Sequence, residues 1–547
     1  MPVLNLTKKE FDKQLGRKLP LEKLRDRISM LGTDLDKLDE HEIIVEIFPN
    51  RPDMLSMQGF VRAMRSFLGI TKGLQKYTVK KSGEKVIIDK SVAKHRPYTA
   101  CAIVKHLKFD DERIKEVIQI QEKLHVTYGR NRRKVAIGIY PYEKIKPPIT
   151  FFAEDPAKVR FQPLEFDREL TGRQILAQHP AGREYGKLLD GHRKFPFFKD
   201  ADGKILSMPP IINSHATGKI SEVTQDVFVE CSGFDFRVLS TCLNMIVTAL
   251  ADMGGQIYSM ELQYPDNRRI TPDLTPRKMK VSLDYISKKL GVKMTQQQFK
   301  KYLGMMGLGY ADGVLIPAYR AEIMHPVDIV EDIAIAYGFE NFKPEIPKVA
   351  TVGRESSVSI FTRKIAYLLA GLGYFELNTY TISSEKYQNS LMLTHYPLVE
   401  LANSVSGDYT HLRAWMIPTL LEVFKTNKHH EYPQKIFDTG TVFKKNPKTE
   451  TGVEESLKLA VASCHKDLDF TEIKQILQSL FDALSLEYSI QETEHPSFIP
   501  GRVGKIVVQG NDLGYIGEIH PQVLTNFGIE MPVAVFELDL QELISFI

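Results

Sequence analysis

The chain has 547 residues, of which 43% are hydrophobic and 26% charged, as in a globular protein with several buried cores. Its net charge of +4 is too small for a histone-like DNA-binding protein, although it permits a local basic face for nucleic acid. Cys101, Cys231, Cys242 and Cys464 lack zinc-binding spacing and favour a reduced protein. The N-terminus carries no signal, and no apolar run reaches the length of a membrane span, so we predict a cytoplasmic protein without a membrane partner.

Two polar stretches that contain prolines divide the chain. They span residues 264–278 and 343–357, and their few apolar residues argue against core elements. The first of the resulting blocks is long enough to contain two units. We therefore predict a multidomain α+β fold with four domains, at residues 1–90, 91–263, 268–345 and 353–547.

In chain order, the first predicted strand is Ile43–Phe48, followed by a turn at Pro49–Pro52 and a helix from Ser56. In the second block, the runs ACAIVKHL, KVAIGIY and DVFVECSGF predict strands, and Thr241–Met253 predicts a helix. The third block is predicted to be helical, with a short strand at Gly313–Pro317. The fourth ends in alternating runs, KIVVQG and VAVFELDL, that predict a sheet.

The segment AEIMHPVDIVEDIAIAYGFENF places acidic residues beside an apolar helix face. Pro326 suits the first turn of a helix, because the missing N–H has no intrahelical partner there. Asp328, Glu331 and Asp332 then share one face at spacing i, i+3, i+4. Glu322, in the preceding loop, can close the cluster. The acids either complement the helix dipole or bind a hard cation, with Mg²⁺ favoured over zinc because every donor is an oxygen.

The run RAEIMHPVDIVEDIAIAYGF resembles the B5 domain of the phenylalanyl-tRNA synthetase β-subunit family. In that family a run of this form carries a magnesium site, which implies that Glu322, Asp328, Glu331 and Asp332 bind Mg²⁺. Glu322 departs from the pattern, because the family usually has Asp at that position. Three further blocks, which begin FPNRPDMLSMQGF, HPAGREYGKLLDG and NSVSGDYTHLRAW, are similar to the family's N-terminal, B3/B4 and synthetase-like modules, in the family's order. The short chain resembles the archaeal and eukaryotic type.

The resemblance implies a B3/B4-like editing domain, a small winged-helix-like B5 domain and a catalytically inactive class II synthetase-like module with an antiparallel sheet. It implies that an α subunit binds ATP and performs adenylation within an (αβ)₂ heterotetramer, a ligase that attaches phenylalanine to tRNA(Phe). A working class II site needs arginines placed to hold ATP and the amino acid. Arg413 has no acid two residues later, and Arg502 lacks a preceding glycine-rich run, so we predict no catalysis in this module.

Candidate editing residues lie in the B3/B4-like block. A pocket that hydrogen-bonds the hydroxyl of tyrosine rejects phenylalanine, because phenylalanine leaves its polar groups unpaired. Glu230 is the predicted acceptor of the phenol O–H, a role that the resemblance gives to a glutamate there. Asn213, Ser214 and Thr217 are predicted to hold the ester and a water, and His215 to shuttle a proton, in the hydrolysis of mischarged Tyr-tRNA(Phe). Alternatively, these residues cap a turn, and Glu230 is a solvated acid at a sheet edge.

The basic run GRNRRKVAIGIY contains Arg130, Arg132, Arg133 and Lys134, which either contact tRNA phosphates or form a solvated face. Residues 192–194 allow the same two interpretations. Two other functions stay open, a free-standing hydrolase that deacylates mischarged tRNA and a non-enzymatic nucleic-acid-binding protein. The synthetase-like module argues against the first, and the small net charge argues against the second.

Overall fold

The structure is a computed structural model that describes residues 2–346 and 352–547. The chain forms two compact units, Met1–Ile346 and Pro347–Ile547. The division falls within the predicted linker 343–357, of which residues 347–351 lie outside the described part of the chain. No helix in the described residues is both long and apolar enough to cross a bilayer.

The first unit begins with a three-stranded antiparallel sheet whose strands lie in the order Val3–Thr7, Glu42–Glu46, Asp34–Leu38. The helices packed in this part are Lys8–Leu15, Leu21–Met30 and Met57–Phe67. The predicted strand is confirmed, with bounds Glu42–Glu46. The predicted helix begins one position after Ser56, whose hydroxyl caps it by accepting the N–H of Gly59 at 3.0 Å.

A ten-stranded mixed sheet forms the centre of the first unit. Nine strands lie side by side in the order Ile212–Asn213, Ile205–Met208, Phe195–Lys199, Ile149–Glu154, Val79–Ile88, Gln256–Gln263, Tyr98–Lys105, Val227–Gly233, Val135–Pro141. The tenth, Arg268–Thr271, pairs with Gln256–Gln263. The interpretation of 264–278 as a linker is therefore wrong. Strands pair through their backbone N–H and C=O groups, so a polar segment with prolines at its ends can still form a strand.

Helices and a two-stranded sheet accompany the large sheet. The helices are Asp111–Val126, Gly172–Gln178, Pro180–Tyr185, His215–Gly218 and Phe236–Asp252. The two short strands are Arg160–Phe161 and Leu170–Thr171. The predicted helix Thr241–Met253 is longer than expected and begins at Phe236, because Asp235 caps it by accepting the N–H groups of Arg237 and Val238.

The last part of the first unit contains a small sheet and three helices. The strands lie in the order Arg277–Met279, Val314–Ile316, Gly309–Tyr310, and the helices are Leu283–Leu290, Gln296–Met305 and Pro326–Tyr337. One apolar core includes Phe60, Leu243 and Ile333, which belong to three different predicted domains. These parts therefore fold around a shared core, and the finer predicted division of the first unit stays a prediction.

The second unit is built on a seven-stranded sheet. Its strands lie in the order Phe375–Leu377, Gln434–Lys445, Val453–Cys464, Val533–Asp539, Asn511–Ile519, Phe498–Val508, Ser489–Glu492. All neighbours are antiparallel except the first pair. A second sheet pairs Ile382–Ser383 with His411–Leu412. The helices are Ser357–Gly371, Glu385–Gln388, Ile417–Asn427, Phe470–Leu484, Pro521–Phe527 and Leu540–Ile544.

Candidate functional site

Glu230 lies in the middle of an interior strand of the large sheet. Its strand pairs on one side with Tyr98–Lys105, where Cys101 is opposite, and on the other with Val135–Pro141, where Gly138 is opposite. The residue is only 2% exposed. The alternative interpretation of a solvated acid at a sheet edge is therefore wrong, because a strand flanked on both sides has no free edge.

The hydroxyl of Tyr140 reaches the carboxyl group of Glu230. Its oxygen lies 3.3 Å from Oε1 of Glu230, 3.3 Å from Oδ1 of Asn213 and 2.8 Å from Oγ of Ser207. Gly138 makes room for it, since a Cβ at this position would lie 2.2 Å from the Tyr140 hydroxyl. A phenol of the chain itself thus stands beside the acid that was predicted to recognise a phenol.

The charge state of Glu230 follows from its burial. Burial raises the pKa of Glu230 to about 8, against the opposing effect of the nearby Arg96 guanidinium. Arg96 is itself buried and donates to Oγ of Ser232 at 3.1 Å, and burial lowers the pKa of Arg96 to about 10. Oε2 of Glu230 is buried without a hydrogen-bond partner in the described residues. At neutral pH the carboxyl group is mainly protonated, so it can donate a hydrogen bond as well as accept one.

A cavity of about 110 Å³ lies against Glu230 and Asn213, and it is here called the editing cavity after the role predicted for these two residues. Its other lining residues are Gln121, Glu122, His125, Arg132, Ala136, Ile137, Leu164, Pro209, Pro210, Ile211 and Ile212. Within the described chain, Ser214, His215 and Thr217 do not line it. Ser214 and Thr217 are buried, and Oγ1 of Thr217 lies 3.5 Å from the carbonyl of Leu206. The structure thus brings Glu230 and Asn213 together but directs the other predicted residues elsewhere.

Arg132, Glu122 and His125 form a polar wall of the editing cavity that sequence reasoning missed. Nε2 of His125 accepts the N–H of Ile137 at 2.8 Å, so its Nδ1 carries a proton toward Glu122, 3.2 Å away. Arg132 donates to the carbonyl of Ile211 at 2.8 Å and to Glu122 at 3.2 Å. Burial opposes ionisation of Glu122, but His125 and Arg132 prevail and lower its pKa to about 2.

Arg132 is therefore engaged within the protein, so neither interpretation of the basic run, tRNA contact or a solvated face, describes this side chain. Its guanidinium carbon lies 4.2 Å from the ring centroid of Tyr185, which adds a cation–π contact to its hydrogen bonds. The only sequence signal for the wall was the i, i+3 spacing of Glu122 and His125 on a helix, which is common on solvated faces.

A second cluster joins the loop after the first sheet to the acidic helix. Nη2 of Arg320 lies 2.8 Å from Asp332, and its Nε donates to Glu322. Nε of Arg51 lies 2.9 Å from Asp53 and 3.6 Å from Glu322. Arg320, Asp332, Arg51 and Asp53 are all buried. The two guanidinium groups thus neutralise carboxylates that would otherwise be buried without a partner.

Asp328 caps the acidic helix. Its Oδ2 accepts the backbone N–H groups of Met324 and His325, each at 2.7 Å, and Pro326 occupies the first helical turn as predicted. Glu331 is exposed. Asp328 and Glu331 line a cavity of about 240 Å³ together with Glu322 and Asp332.

This cavity, here called the acidic cavity, fits Mg²⁺ in its donor chemistry. All four acids supply oxygen, and Oε2 of Glu322 is buried without a hydrogen-bond partner in the described residues. However, Glu322 and Asp332 face Arg320, so the four carboxylates do not converge on one point. In the part of the chain that the structure describes, three acidic ligand atoms approach within 4.8 Å of one another only in the group Asp34, Asp36 and Glu46.

In the second unit, the two arginines considered for a class II site are already bound. Arg413 is 1% exposed and donates to the carbonyl of Thr441 at 2.9 Å, and it lies 3.7 Å from Asp438. Arg502 pairs with Glu518 at 2.7 Å. The guanidinium of Arg413 is thus fully engaged inside the unit, whereas Arg502 is 58% exposed and bonds to Glu518 through only one of its nitrogens.

Comparison with known proteins assigns the family. Residues 343–540 match the model described as the phenylalanyl tRNA synthetase beta chain CLM domain, and residues 279–339 match the tRNA synthetase B5 domain. The phenylalanine–tRNA ligase β subunit of Pyrococcus furiosus is 41% identical, over 99% of this chain and 100% of that protein. The chain belongs to the phenylalanine–tRNA ligase β-subunit family. The Thermococcus kodakarensis β subunit is 40% identical, over 99% of both chains.

A solved structure supports the same assignment for the first part of the chain. It is the crystal structure of an N-terminal fragment of the phenylalanyl-tRNA synthetase β-subunit from Pyrococcus horikoshii. The fragment is 39% identical, covers 61% of this chain and 99% of its own, and superposes with a TM-score of 0.59. The predicted family is thus confirmed.

Proposed function

We propose that this chain is the β subunit of a cytoplasmic phenylalanine–tRNA ligase. It joins an α subunit in an (αβ)₂ heterotetramer that uses ATP to attach phenylalanine to tRNA(Phe). The observation that carries this proposal is the 41% identity that extends over 99% of the chain, rather than over one domain.

The α subunit performs the adenylation. The sheet of the second unit serves as an inactive class II-like module that provides a body for assembly. The buried contacts of Arg413 support this, because a phosphate clamp requires guanidinium groups whose donors are free.

The first unit removes tyrosine from mischarged tRNA(Phe). Glu230 and Asn213 recognise the tyrosyl hydroxyl at the place that the Tyr140 hydroxyl takes in the free chain. A phenylalanyl group has no hydroxyl, so it would leave these buried polar groups unpaired and is retained on the tRNA. Ser214 and Thr217, proposed to hold the ester and a water, and His215, proposed to shuttle a proton, follow Asn213 in the chain but do not line the cavity in the described residues.

Glu322, Asp328, Glu331 and Asp332 hold Mg²⁺ in the acidic cavity. The ion would supply positive charge next to Asp328 and Glu331, the two acids of the four that Arg320 does not contact, and its role would be structural. The unpaired Oε2 of Glu322 and the oxygen-only lining support this assignment. Arg320 already neutralises part of the negative charge of these acids. The ion would therefore add stability to a cluster that also forms without it.

The test is reconstitution with the α subunit. The complex should charge tRNA(Phe) with phenylalanine and deacylate Tyr-tRNA(Phe), whereas Glu230→Ala should keep charging and lose most deacylation. Glu169→Ala, which changes an exposed acid of the same region, is the control and should keep both activities. Deacylation by this chain alone, with no contribution to charging when the α subunit is added, would favour a free-standing hydrolase instead.

A further inference from the structure

The first unit contains a cleft of about 1120 Å³ with a basic lining. It lies between the end of the helix Asp111–Val126, the start of the helix Phe236–Asp252 and the strand Arg277–Met279. Four exposed cations line it, Arg130, Lys134, Arg237 and Arg277. This cleft is here called the basic cleft. It shares no lining residue with the editing cavity, and it meets the acidic cavity at Arg320.

None of the four cations makes a direct ion pair in the described residues, although Glu322 and Asp328 act on Arg277 from a longer distance. Among the described residues, no carboxylate lies within 4.0 Å of their charged nitrogens. Asp235 also lines the cleft, but its carboxylate is engaged at the helix N-terminus with the N–H groups of Arg237 and Val238. Because a cleft lined by charges of one sign concentrates counter-ions, four cations without a direct ion pair around one cleft indicate an anionic ligand.

The charges also act on one another. Burial and then the neighbouring charge of Arg237 lower the pKa of Arg277, against the smaller opposing effects of Glu322 and Asp328. Two guanidinium groups that repel each other across a cleft gain stability when an anion lies between them. Exposed apolar side chains, Val126 and Met324, line the same cleft and can contact the flat faces of bases.

The backbone that carries Arg130 has an unusual conformation. Arg130, Asn131 and Arg132 have φ angles of 49°, 51° and 64°, which are left-handed and disfavoured for side chains with a Cβ. This run sends Arg130 to the basic cleft and Arg132 to the editing cavity. Unfavourable backbone conformations of this kind persist where a site requires them.

We propose that the basic cleft binds the phosphodiester backbone of tRNA next to the editing cavity. The inference rests on the proposed function, because tRNA is the polyanion that this function brings to the protein. Arg130, Lys134, Arg237 and Arg277 contact phosphates. Arg130 and Arg132 belong to the same left-handed segment. A phosphate contact made by Arg130 is therefore linked through the backbone to Arg132 in the wall of the editing cavity.

The test uses the complete complex with the α subunit and unmodified tRNA(Phe) transcript as the probe. Binding is measured between about 50 and 200 mM salt for Arg130→Asn, Lys134→Gln and Arg237→Gln, alone and combined. Asparagine is chosen at Arg130 because it tolerates the left-handed region. Each variant should weaken binding by about threefold and make the slope of log affinity against log salt shallower by about 0.7 to 1.

Three controls separate the possible outcomes. Arg130→Lys and Arg237→Lys keep the charge and should bind as the wild type does. Lys146→Ala removes an exposed cation that pairs with Asp202 outside the cleft, and it should also leave the slope unchanged. If the wild-type complex charges tRNA but the combined variant binds with unchanged affinity and slope, the cleft assignment is wrong while the proposed function stands. If the wild-type complex binds no tRNA, both are overturned.

Discussion

The hydroxyl of Tyr140 lies 3.3 Å from Oε1 of Glu230, where the proposed editing reaction requires the hydroxyl of a misactivated tyrosine. Gly138 permits this arrangement, because any larger residue would collide with the phenol. In the free chain, the carboxyl group of Glu230 therefore already has the hydroxyl of Tyr140 as a hydrogen-bond partner. A tyrosyl substrate must displace that phenol, so the loss of the Tyr140 hydrogen bonds makes the binding free energy of the substrate less favourable.

Tyr140→Phe tests this competition. The variant keeps the ring but removes the hydrogen bonds of its hydroxyl, so displacement of the ring should cost about 1 kcal/mol less. We expect the KM for deacylation of Tyr-tRNA(Phe) by the complex to fall about two- to tenfold, with little change in kcat. Tyr142→Phe, which removes a hydroxyl that contacts Glu84 at 3.2 Å, is the control and should not change KM. An unchanged or higher KM for Tyr140→Phe would show that the internal phenol does not compete.

The raised pKa of Glu230 predicts a pH dependence of stability. Its carboxyl group titrates near 8 in the folded chain, compared with 4.5 for the ordinary group. Between these values the folded state holds a proton that the unfolded state has lost, so the free energy of unfolding should decrease as pH rises. The steepest contribution is about 1.4 kcal/mol per pH unit, and it ends above about pH 8.

Urea unfolding of the wild type and Glu230→Gln across this pH range measures the effect. Glutamine keeps the shape and cannot ionise, so the difference in slope between the two proteins isolates Glu230. Identical slopes would mean that the carboxyl group titrates normally in the folded chain.

Arg320 should be among the most important charged residues of the first unit. Replacing it by methionine leaves Asp332 and Glu322 buried without their guanidinium partner, which should cost about 3 to 5 kcal/mol. Lys146→Ala breaks an exposed ion pair of the same unit and should cost no more than about 1 kcal/mol. The measurement is the urea unfolding transition of the first unit. Equal losses in the two variants would mean that the buried cluster contributes no more than a surface pair.

The magnesium proposal predicts a response to chelation. Mg²⁺ at about 100 times its dissociation constant should stabilise the protein by about 2.7 kcal/mol, and EDTA should lower Tm by several degrees. Asp328→Asn should reduce this response while keeping an oxygen that can cap the helix. Asp167→Asn, which changes an exposed acid that does not line the acidic cavity, is the matched control. If the Tm of the wild type changes with neither Mg²⁺ nor EDTA, the magnesium proposal is wrong.

Local sequence pattern predicted the elements that depend on local rules. The run DVFVECSGF predicted a strand, and Pro326 marked a helix start, because the strand preference of β-branched and aromatic residues and the stereochemistry of proline act within a few residues. The strand Arg268–Thr271 was missed because its stability comes from pairing with Gln256–Gln263 rather than from its own composition.

The sequence predicted which residues belong to the candidate sites, but it did not predict how their side chains are arranged. Glu230 was identified by resemblance, yet its protonation and its contact with Tyr140 depend on three strands that meet only in the fold. The same holds for Arg132, whose neighbours in sequence are solvated cations but whose side chain turns inward to Glu122. A left-handed backbone at Arg130 to Arg132 has no signature in residue type, except that asparagine tolerates it.

The most direct test of the subunit assignment is native mass spectrometry of the complex purified from the cells that produce this chain. The account predicts a mass equal to two copies of this 62.3 kDa chain plus two copies of a class II synthetase α chain. A lone monomer or a homodimer of this chain, with no α chain recovered, would contradict it.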